Sequence, residues 1–510
     1  MRPRLQQMLW RCALAASGGF ISSLAFPREN IWPLIFISVS LLLIAIHQQT
    51  FRSALLIGLV GGLGFYLSQI EWLSLYLGPV PWLALSILEA GIFALGMAAT
   101  ALVWNRLSGF NLRPIWKDTI AATAIATLFT AREWVSINFP YGGFPWSRLA
   151  QSQSNSPLAD WVFLGGLGLL TWIVALVSAL LAISFVNQIR KSTMVLTASV
   201  AAVAFLVPAL LVIPVTADAG KLNVAGVQGN ANAGLFANTK RGQILQNHLD
   251  ATELLDPNRK PDVVIWPENA SDLSPFSDAS ANRTITNLVN NELKVPLIFG
   301  TITTRGEQLF NSSIIWRPGV GATDWYDKKR PVPFAEYVPD RDFWYQLAPD
   351  LIGLISRGYS FGERDGIFEL SEKKLGTLIC FEIAIDDIGR NLVADGAQVI
   401  ISQTNNADFG FSDETFQQAA FARLRAIETG RTVVNVSTVG VSAIYAADGK
   451  ILQQVPTFEP AVLEQEVSLS NRITPAMAVG PLLDLWINLV AIGLVAFAAS
   501  ELLRKKMGER

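Results

Sequence analysis

An apolar run of about 20 residues constrains a chain more than any other feature, because it is long enough to cross the hydrocarbon core of a bilayer as a helix. Seven such runs precede residue 217 here, at roughly 8–26, 31–47, 53–75, 79–104, 118–136, 159–186 and 193–215. An eighth, roughly 479–503, lies near the end. Inside lipid the backbone must satisfy its own polar groups, so helices are the expected form. Composition agrees: of 510 residues 51% are hydrophobic and only 16% charged, less charge than a soluble chain of this size carries. The opening "MRPRLQQMLWRCALAASGGF" has the charged end and apolar segment of a signal peptide. Six more apolar runs follow with short connections, so it is read as the first span of a bundle, kept in the mature protein.

Eight spans leave both ends on one side. The loops on that side hold Arg2, Arg4, Arg52, Arg106, Arg113, Lys117, Arg190 and Lys191, and the tail holds Arg504, Lys505, Lys506 and Arg510. The opposite short loops hold only Arg28 and Arg148. By the positive-inside rule both termini are cytoplasmic, and segment 216–478 then lies outside the cytoplasm. The expected organisation is a seven-helix transmembrane region at 1–215, a catalytic domain at 216–478, and a last transmembrane helix with a basic cytoplasmic tail at 479–510. Glycines in "GLVGGLG" (58–64) and "LGGLG" (164–168) fit close helix contact in a bundle and not a dinucleotide loop, since they do not follow a strand and open a helix. Glu89, near the middle of the fourth span, costs about 2.5–3.5 kcal/mol on insertion scales, so it is expected to face protein or a cavity.

Segment 216–478 reads differently. Short β-rich runs, "KLNVAGVQ", "DVVIWPE", "PLIFGT", "NSSIIWR", "KLGTLICFE", "AQVIISQT" and "RTVVNVST", alternate with helical stretches at 238–255, 385–396 and 413–430. Strands followed by helices predict a layered α/β domain, and "AADGK" near 446–450 predicts a hairpin. A net charge of −2 and the lack of a basic patch interleaved with aromatics argue against nucleic-acid binding. Two cysteines and two histidines form no metal-ligand spacing, and no cofactor is expected. Cys12 follows Trp10-Arg11 and is read as a packing residue rather than a lipoprotein-processing cysteine. His248 falls in the first helical stretch, where a polar surface position is expected.

Chemistry concentrates at three places in this domain. "VVIWPE" ends on Glu268, "LIC" ends on Cys380, and Lys328 opens the loop "KKRPVPFAEYVP". A free cysteine is mostly thiol at neutral pH and needs a base or a cation to act as a nucleophile. Histidine is the usual base, but His47 sits at the end of the second span. A carboxylate can take the proton instead, and an ammonium favours both the thiolate and a developing oxyanion. Each residue has a bland reading: Cys380 as a small core residue, Glu268 as a helix cap, Lys328 as a solvated charge. Their joint occurrence in this order is harder to dismiss.

These residues resemble the Glu…Lys…Cys triad of nitrilase-type carbon–nitrogen hydrolases, which implies an αββα sandwich for 216–478. The whole chain resembles the apolipoprotein N-acyltransferase family, in its actinobacterial branch. The marks are "REWV…YGGFPW" (132–146), "VVIWPE" (263–268), "YDK…PFAEYVP" (326–339), "LICFE" (378–382), "QTNNADFG" (403–410), "FARLRAIETGR" (421–431) and "STVGVSA" (437–443). The resemblance implies Glu268 as general base, Lys328 rather than Lys329 as catalytic lysine, and Cys380 as nucleophile. It also implies supporting roles for Glu336 and Glu382, with a plain surface carboxylate as the bland alternative for Glu382. Departures are Ala335 for a common glycine, Pro331 for leucine, Phe381 for tyrosine, Asp408 for tryptophan, and "STVG" for an asparagine-containing turn; they bear on substrate and acyl-chain preference.

The implied reaction passes a fatty acyl chain from a phospholipid to Cys380 as a thioester. From there it goes to the α-amino group of the S-diacylglyceryl-cysteine that begins a diacylated apolipoprotein. The implied setting is a bacterial cytoplasmic membrane, with membrane lipid as a partner and the catalytic domain on the outer side. The rivals are a membrane-tethered amidase that passes the acyl group to water, and a scaffold for a polyprenol-phosphate mannosyltransferase.

Overall fold

The computed structural model describes residues 3–234, 237–355 and 358–508. Arg2 and Arg510, counted among the basic flanks, lie outside the described residues. The chain divides into two compact units. One comprises the chain up to Ser74, Gly78–Val212 and the stretch from Pro475 on; the other comprises Leu75–Leu77 and Ile213–Thr474.

In the first unit each of the eight apolar runs coincides with a helix: Pro3–Ser23, Leu34–Ile46, Phe51–Gln69, Pro79–Ser108, Pro114–Ser136, Trp161–Val186, Lys191–Leu210 and Pro475–Gly508. Five described segments are long and apolar enough to cross a membrane: Phe51–Gln69, Pro79–Ser108, Pro157–Val186, Lys191–Leu210 and Pro475–Ser500. Leu34–Ile46 is apolar but short. Pro3–Ser23 and Pro114–Ser136 carry charged residues, Arg4 and Arg11 in one and Lys117, Asp118, Arg132 and Glu133 in the other, which thin their hydropathy. Leu56, Ile87, Leu95, Leu206 and Ile492 are among many exposed apolar side chains of this unit, a surface suited to lipid. Inside, a Cβ on Gly62 would stand 3.0 Å from the Ala90 Cα, so a larger residue would push the two helices apart. Glu89 is buried and takes a hydrogen bond from the Ser136 hydroxyl. Arg132 donates to the Tyr66 hydroxyl at 3.0 Å and lies over the Phe93 and Phe129 rings. The charge in mid-span thus sits among polar partners, as its insertion cost demands.

The second unit is built on twelve strands: β1 (Lys221–Gln228), β2 (Val263–Ile265), β3 (Leu297–Arg305), β4 (Gln308–Arg317), β5 (Gly321–Asp327), β6 (Ile367–Leu370), β7 (Lys373–Ile379), β8 (Val399–Thr404), β9 (Val433–Ser437), β10 (Ala443–Tyr445), β11 (Ile451–Gln454) and β12 (Ala461–Ser468). They form two six-stranded sheets, ordered β12-β1-β2-β3-β4-β5 and β11-β10-β9-β8-β7-β6. β1, β2 and β3 run parallel, as do β7, β8 and β9. Alternation of side chains along each strand sorts the core. Leu222, Val224, Val263, Ile265, Ile298 and Ile315 meet Leu375, Ile379, Val399, Ile401, Val434 and Val436 in one cluster shared by both sheets. Ala225, Val227, Val264, Trp266, Leu297 and Phe299 pack with Leu245, Ile285 and Leu288 of the helical segments that cover the first sheet. Helices Asp386–Ala394 and Glu414–Thr429 pack on the second sheet. The result is the αββα sandwich.

His248 departs from its expected surface position. It is fully buried, its ring 5.6 Å from that of Trp266 and its Nδ1 2.8 Å from the Ile244 carbonyl oxygen. Close passage of Gly229, whose Cβ would meet the imidazole at 2.5 Å, leaves this polar residue in the core between helix Gln243–Thr252 and the first sheet.

Candidate active site

Three chain segments converge on one point. Beyond β2 the chain turns through Trp266 and Pro267 to Glu268, held by Trp266 N–H donating to Ile298 O at 2.8 Å and Gly300 N–H donating to Pro267 O at 3.0 Å. A Cβ on Gly300 would come within 2.7 Å of the Glu268 Cα, so only glycine lets β3 pass this close. Beyond β5, Lys328 N–H donates to Asn311 O at 2.9 Å. Beyond β7, Cys380 opens a 3₁₀ turn, Cys380–Ala384, with φ at +56°. Non-glycine residues seldom adopt that region, and where they do the surroundings must hold them there.

The side chains close a compact set. Lys328 Nζ lies 3.4 Å from Glu268 Oε1 and 2.9 Å from Glu336 Oε2. Asn311 Nδ2 donates to Glu268 Oε1 at 2.7 Å and to Glu336 Oε1 at 3.0 Å. Asn405 N–H donates to Glu268 Oε2 at 2.9 Å, and the neighbouring Cys380 thiol helps to offset the rise in that carboxylate's pKa. Glu336 is itself held by Val332 N–H at 2.7 Å. Lys329, next in sequence, instead pairs with Asp365 at 2.8 Å. Of the two adjacent lysines, Lys328 is the one the fold brings to the cysteine.

Burial pushes the Cys380 thiol well above its ordinary range, and Glu268 pushes it further, against Lys328. Burial likewise raises Glu268, with Lys328 pulling it back and Glu336 adding to the rise. Burial alone would lower the Lys328 ammonium, but Glu336, Glu268 and Cys380 together carry it well above its usual value. At rest the site therefore holds a thiol, a carboxylate with raised proton affinity and a fixed ammonium. Such a set can move a proton from sulfur to carboxylate and place a positive charge beside a developing oxyanion.

Glu382 is no surface carboxylate. It is fully buried and accepts from the Tyr326 hydroxyl at 2.8 Å, Lys329 N–H at 2.8 Å, Arg330 N–H at 3.1 Å and Ile379 N–H at 2.9 Å. One carboxylate ties the segment after Lys328 to the residue before Cys380. Residues not singled out from sequence also belong here: Asn311, Tyr326, Asn405 and Gln418, whose Nε2 is 3.4 Å from the Cys380 Sγ. Tyr76, grouped with this unit, stacks on Phe409. Asp408 has its carboxyl pushed up to about 6 by burial and by Glu268.

The sandwich and its site define a nitrilase-type carbon–nitrogen hydrolase domain, and residues 223–474 match the family described as carbon-nitrogen hydrolase. Residues 18–180 match the apolipoprotein N-acyltransferase N-terminal domain. The chain belongs to the apolipoprotein N-acyltransferase family. It is 33% identical to the apolipoprotein N-acyltransferase of Mycolicibacterium smegmatis, across 96% of this chain and 86% of that protein. With the protein of the same name from Vibrio parahaemolyticus the figures are 28%, 92% and 94%. Among solved structures, a mutant of an amidase of the nitrilase superfamily from Nesterenkonia AN1 is similar at 16% identity and a TM-score of 0.39, across 52% of this chain and 97% of that one.

Proposed function

We infer that the chain is a membrane-bound apolipoprotein N-acyltransferase working through a thioester on Cys380. The observation that carries this reading is the convergence of Glu268, Lys328 and Cys380 in a chain similar to such enzymes along nearly all its length. In the first half-reaction the Cys380 S–H bond breaks and Glu268 takes the proton. The thiolate attacks an ester carbonyl of the phospholipid, with the Lys328 ammonium beside the oxyanion. A C–S bond forms, the C–O bond breaks, and the lysophospholipid oxygen leaves with the proton from Glu268. In the second half the free α-amino group of a diacylated apolipoprotein attacks the thioester. The C–N bond forms, the electron pair returns to sulfur, and Glu268 moves the amine proton back to it. Glu336 holds Lys328 in place, and Glu382 fixes the backbone that presents Lys328 and Cys380.

The reading extends to organisation. Seven spans over 1–215 and one over 479–510 flank the catalytic domain at 216–478, with both termini cytoplasmic and the domain on the outer face; the one-sided Arg/Lys distribution supports this. The relatives above lend no support to a mannosyltransferase partner.

The acyl-enzyme is the test. Purified protein incubated with labelled phospholipid and no lipoprotein should carry up to one acyl label per chain, released by neutral hydroxylamine. Cys380→Ala should abolish labelling and Glu268→Gln should slow it about 10²–10⁴-fold, whereas Cys12→Ala should leave it intact. A diacylated peptide with a free amino terminus should discharge the label as an amide, and an N-acetylated peptide should not. Free fatty acid as the main product would point instead to a hydrolase.

A further inference from the structure

We propose that Gln418 is a further catalytic residue, an amide donor aimed at the Cys380 sulfur and clamped in that orientation by Asn406. The proposal rests on the reading of Cys380 as nucleophile. Gln418 lies on helix Glu414–Thr429, is buried, and places Nε2 3.4 Å from Sγ. A glutamine amide can turn either its oxygen or its nitrogen toward a neighbour; here the choice is fixed. Asn406 Nδ2 donates to Gln418 Oε1 at 2.7 Å and to Glu414 Oε2 at 2.7 Å, which engages both of its hydrogens. Asn406 Oδ1 in turn accepts from Ser437 Oγ at 2.5 Å and Thr404 Oγ1 at 3.1 Å. With the Gln418 oxygen already bound, the N–H is what faces sulfur. Glu414 is buried one helical turn before Gln418, and burial pushes its carboxyl up to about 8. The clamp is therefore largely neutral near pH 7, and once Glu414 ionises it joins the groups that raise the Cys380 thiol.

The amide has work in both half-reactions. When the S–H proton passes to Glu268, the electron pair left on sulfur needs donors, and Gln418 N–H supplies one beside Lys328. In the thioester the sulfur is neutral and a weak acceptor. When the amine attacks, the C–S bond breaks, the pair returns to sulfur, and the donor is needed again. A donor to an ionised acceptor counts for roughly twice a neutral hydrogen bond, so its loss should raise the thiol pKa and slow both steps.

The full chain purified in detergent provides the test. Gln418→Met keeps length and volume but removes the donor. Alkylation of Cys380 by iodoacetamide across pH, read from the mass of its peptide, reports the thiolate without any acyl donor. The expected result is a profile shifted up by about one pH unit, with loading and discharge of the acyl group each slowed about tenfold. Asn406→Ala, which leaves Gln418 present but unclamped, should shift the profile the same way by less. An unchanged alkylation profile in a Gln418→Met protein of normal melting temperature would overturn the proposal. So would slowed acylation without that shift, because a merely structural role predicts it. If the profile shifts but Cys380→Ala still acylates lipoproteins, the nucleophile itself has been misassigned, and the catalytic role of Gln418 goes with it.

Discussion

Glu336 touches Lys328 and shares Asn311 with Glu268, so one substitution there reads the electrostatics of the whole site. As the proposed base, Glu268 must be ionised to accept the thiol proton, and its pKa lies above the ordinary carboxylate value. Activity should therefore be present above that raised pKa and lost as pH falls through it. Glu336 contributes to the rise, so Glu336→Gln should move the acid limb of single-turnover Cys380 acylation to lower pH by about one unit. The plateau should also drop, because Lys328 loses an anchor. A limb that stays put or moves up would mean that Glu268 does not titrate in that limb. At this scale the sequence singled out Glu268 after "VVIWP" and Cys380 after "LI", each closing an apolar run, and Lys328 at the head of the loop "KKRPVPFAEYVP". Asn311, Asn406, Glu414 and Gln418 gave no such mark. They are polar residues on a strand, a turn and a helix, and only packing between sheet and helix turned them inward.

Helix Gln243–Thr252 is joined to the first sheet through His248, whose burial depresses the imidazole pKa from 6.5 to about 4. Between those values the unfolded chain binds a proton that the folded one refuses, so stability is full above pH 6.5 and falls as pH drops toward 4. The upper bound on the loss is on the order of 3 kcal/mol. Thermal unfolding of the catalytic domain followed within the full chain should show this decline below pH 6.5. His248→Phe, with a ring of similar shape, should flatten it; an equally steep decline in that variant would place the titrating group elsewhere. The seven strand runs and three helical stretches read from sequence all formed, most with trimmed ends and with β3 and β4 extended toward their shared turn, and "AADGK" forms the β10–β11 turn. β5, β6 and β12 were not legible. "GATDWYD" and "AVLEQEVS" mix charged and apolar residues without clean alternation, and β6 is only four residues long. Each of these strands is the terminal member of its sheet, where a solvated edge tolerates such mixtures.

For the molecule as a whole, helices long and apolar enough to cross a membrane were legible from composition, whereas the proposed sidedness rests on charge. An impermeant protease added to intact spheroplasts should cleave within 216–478 and spare a tag placed after Arg510. Digestion of the tag together with the domain would overturn the eight-span count. The two-sheet architecture carries a consequence of another kind, in time rather than space. Glu268 and Lys328 belong to the first sheet and Cys380 to the second, but the first sheet gains its edge partner only from β12, which pairs with β1 from Lys221↔Ser468 to Gln228↔Ala461. Some 240 residues of synthesis separate those two strands, and among the described strands β12 is made last. A nascent chain that has already exposed Cys380 still lacks one border of the sheet that carries Glu268 and Lys328. Premature termination before residue 461 should therefore leave an inert polypeptide rather than a loose acyl-transferring fragment, so chemical competence should wait on β12.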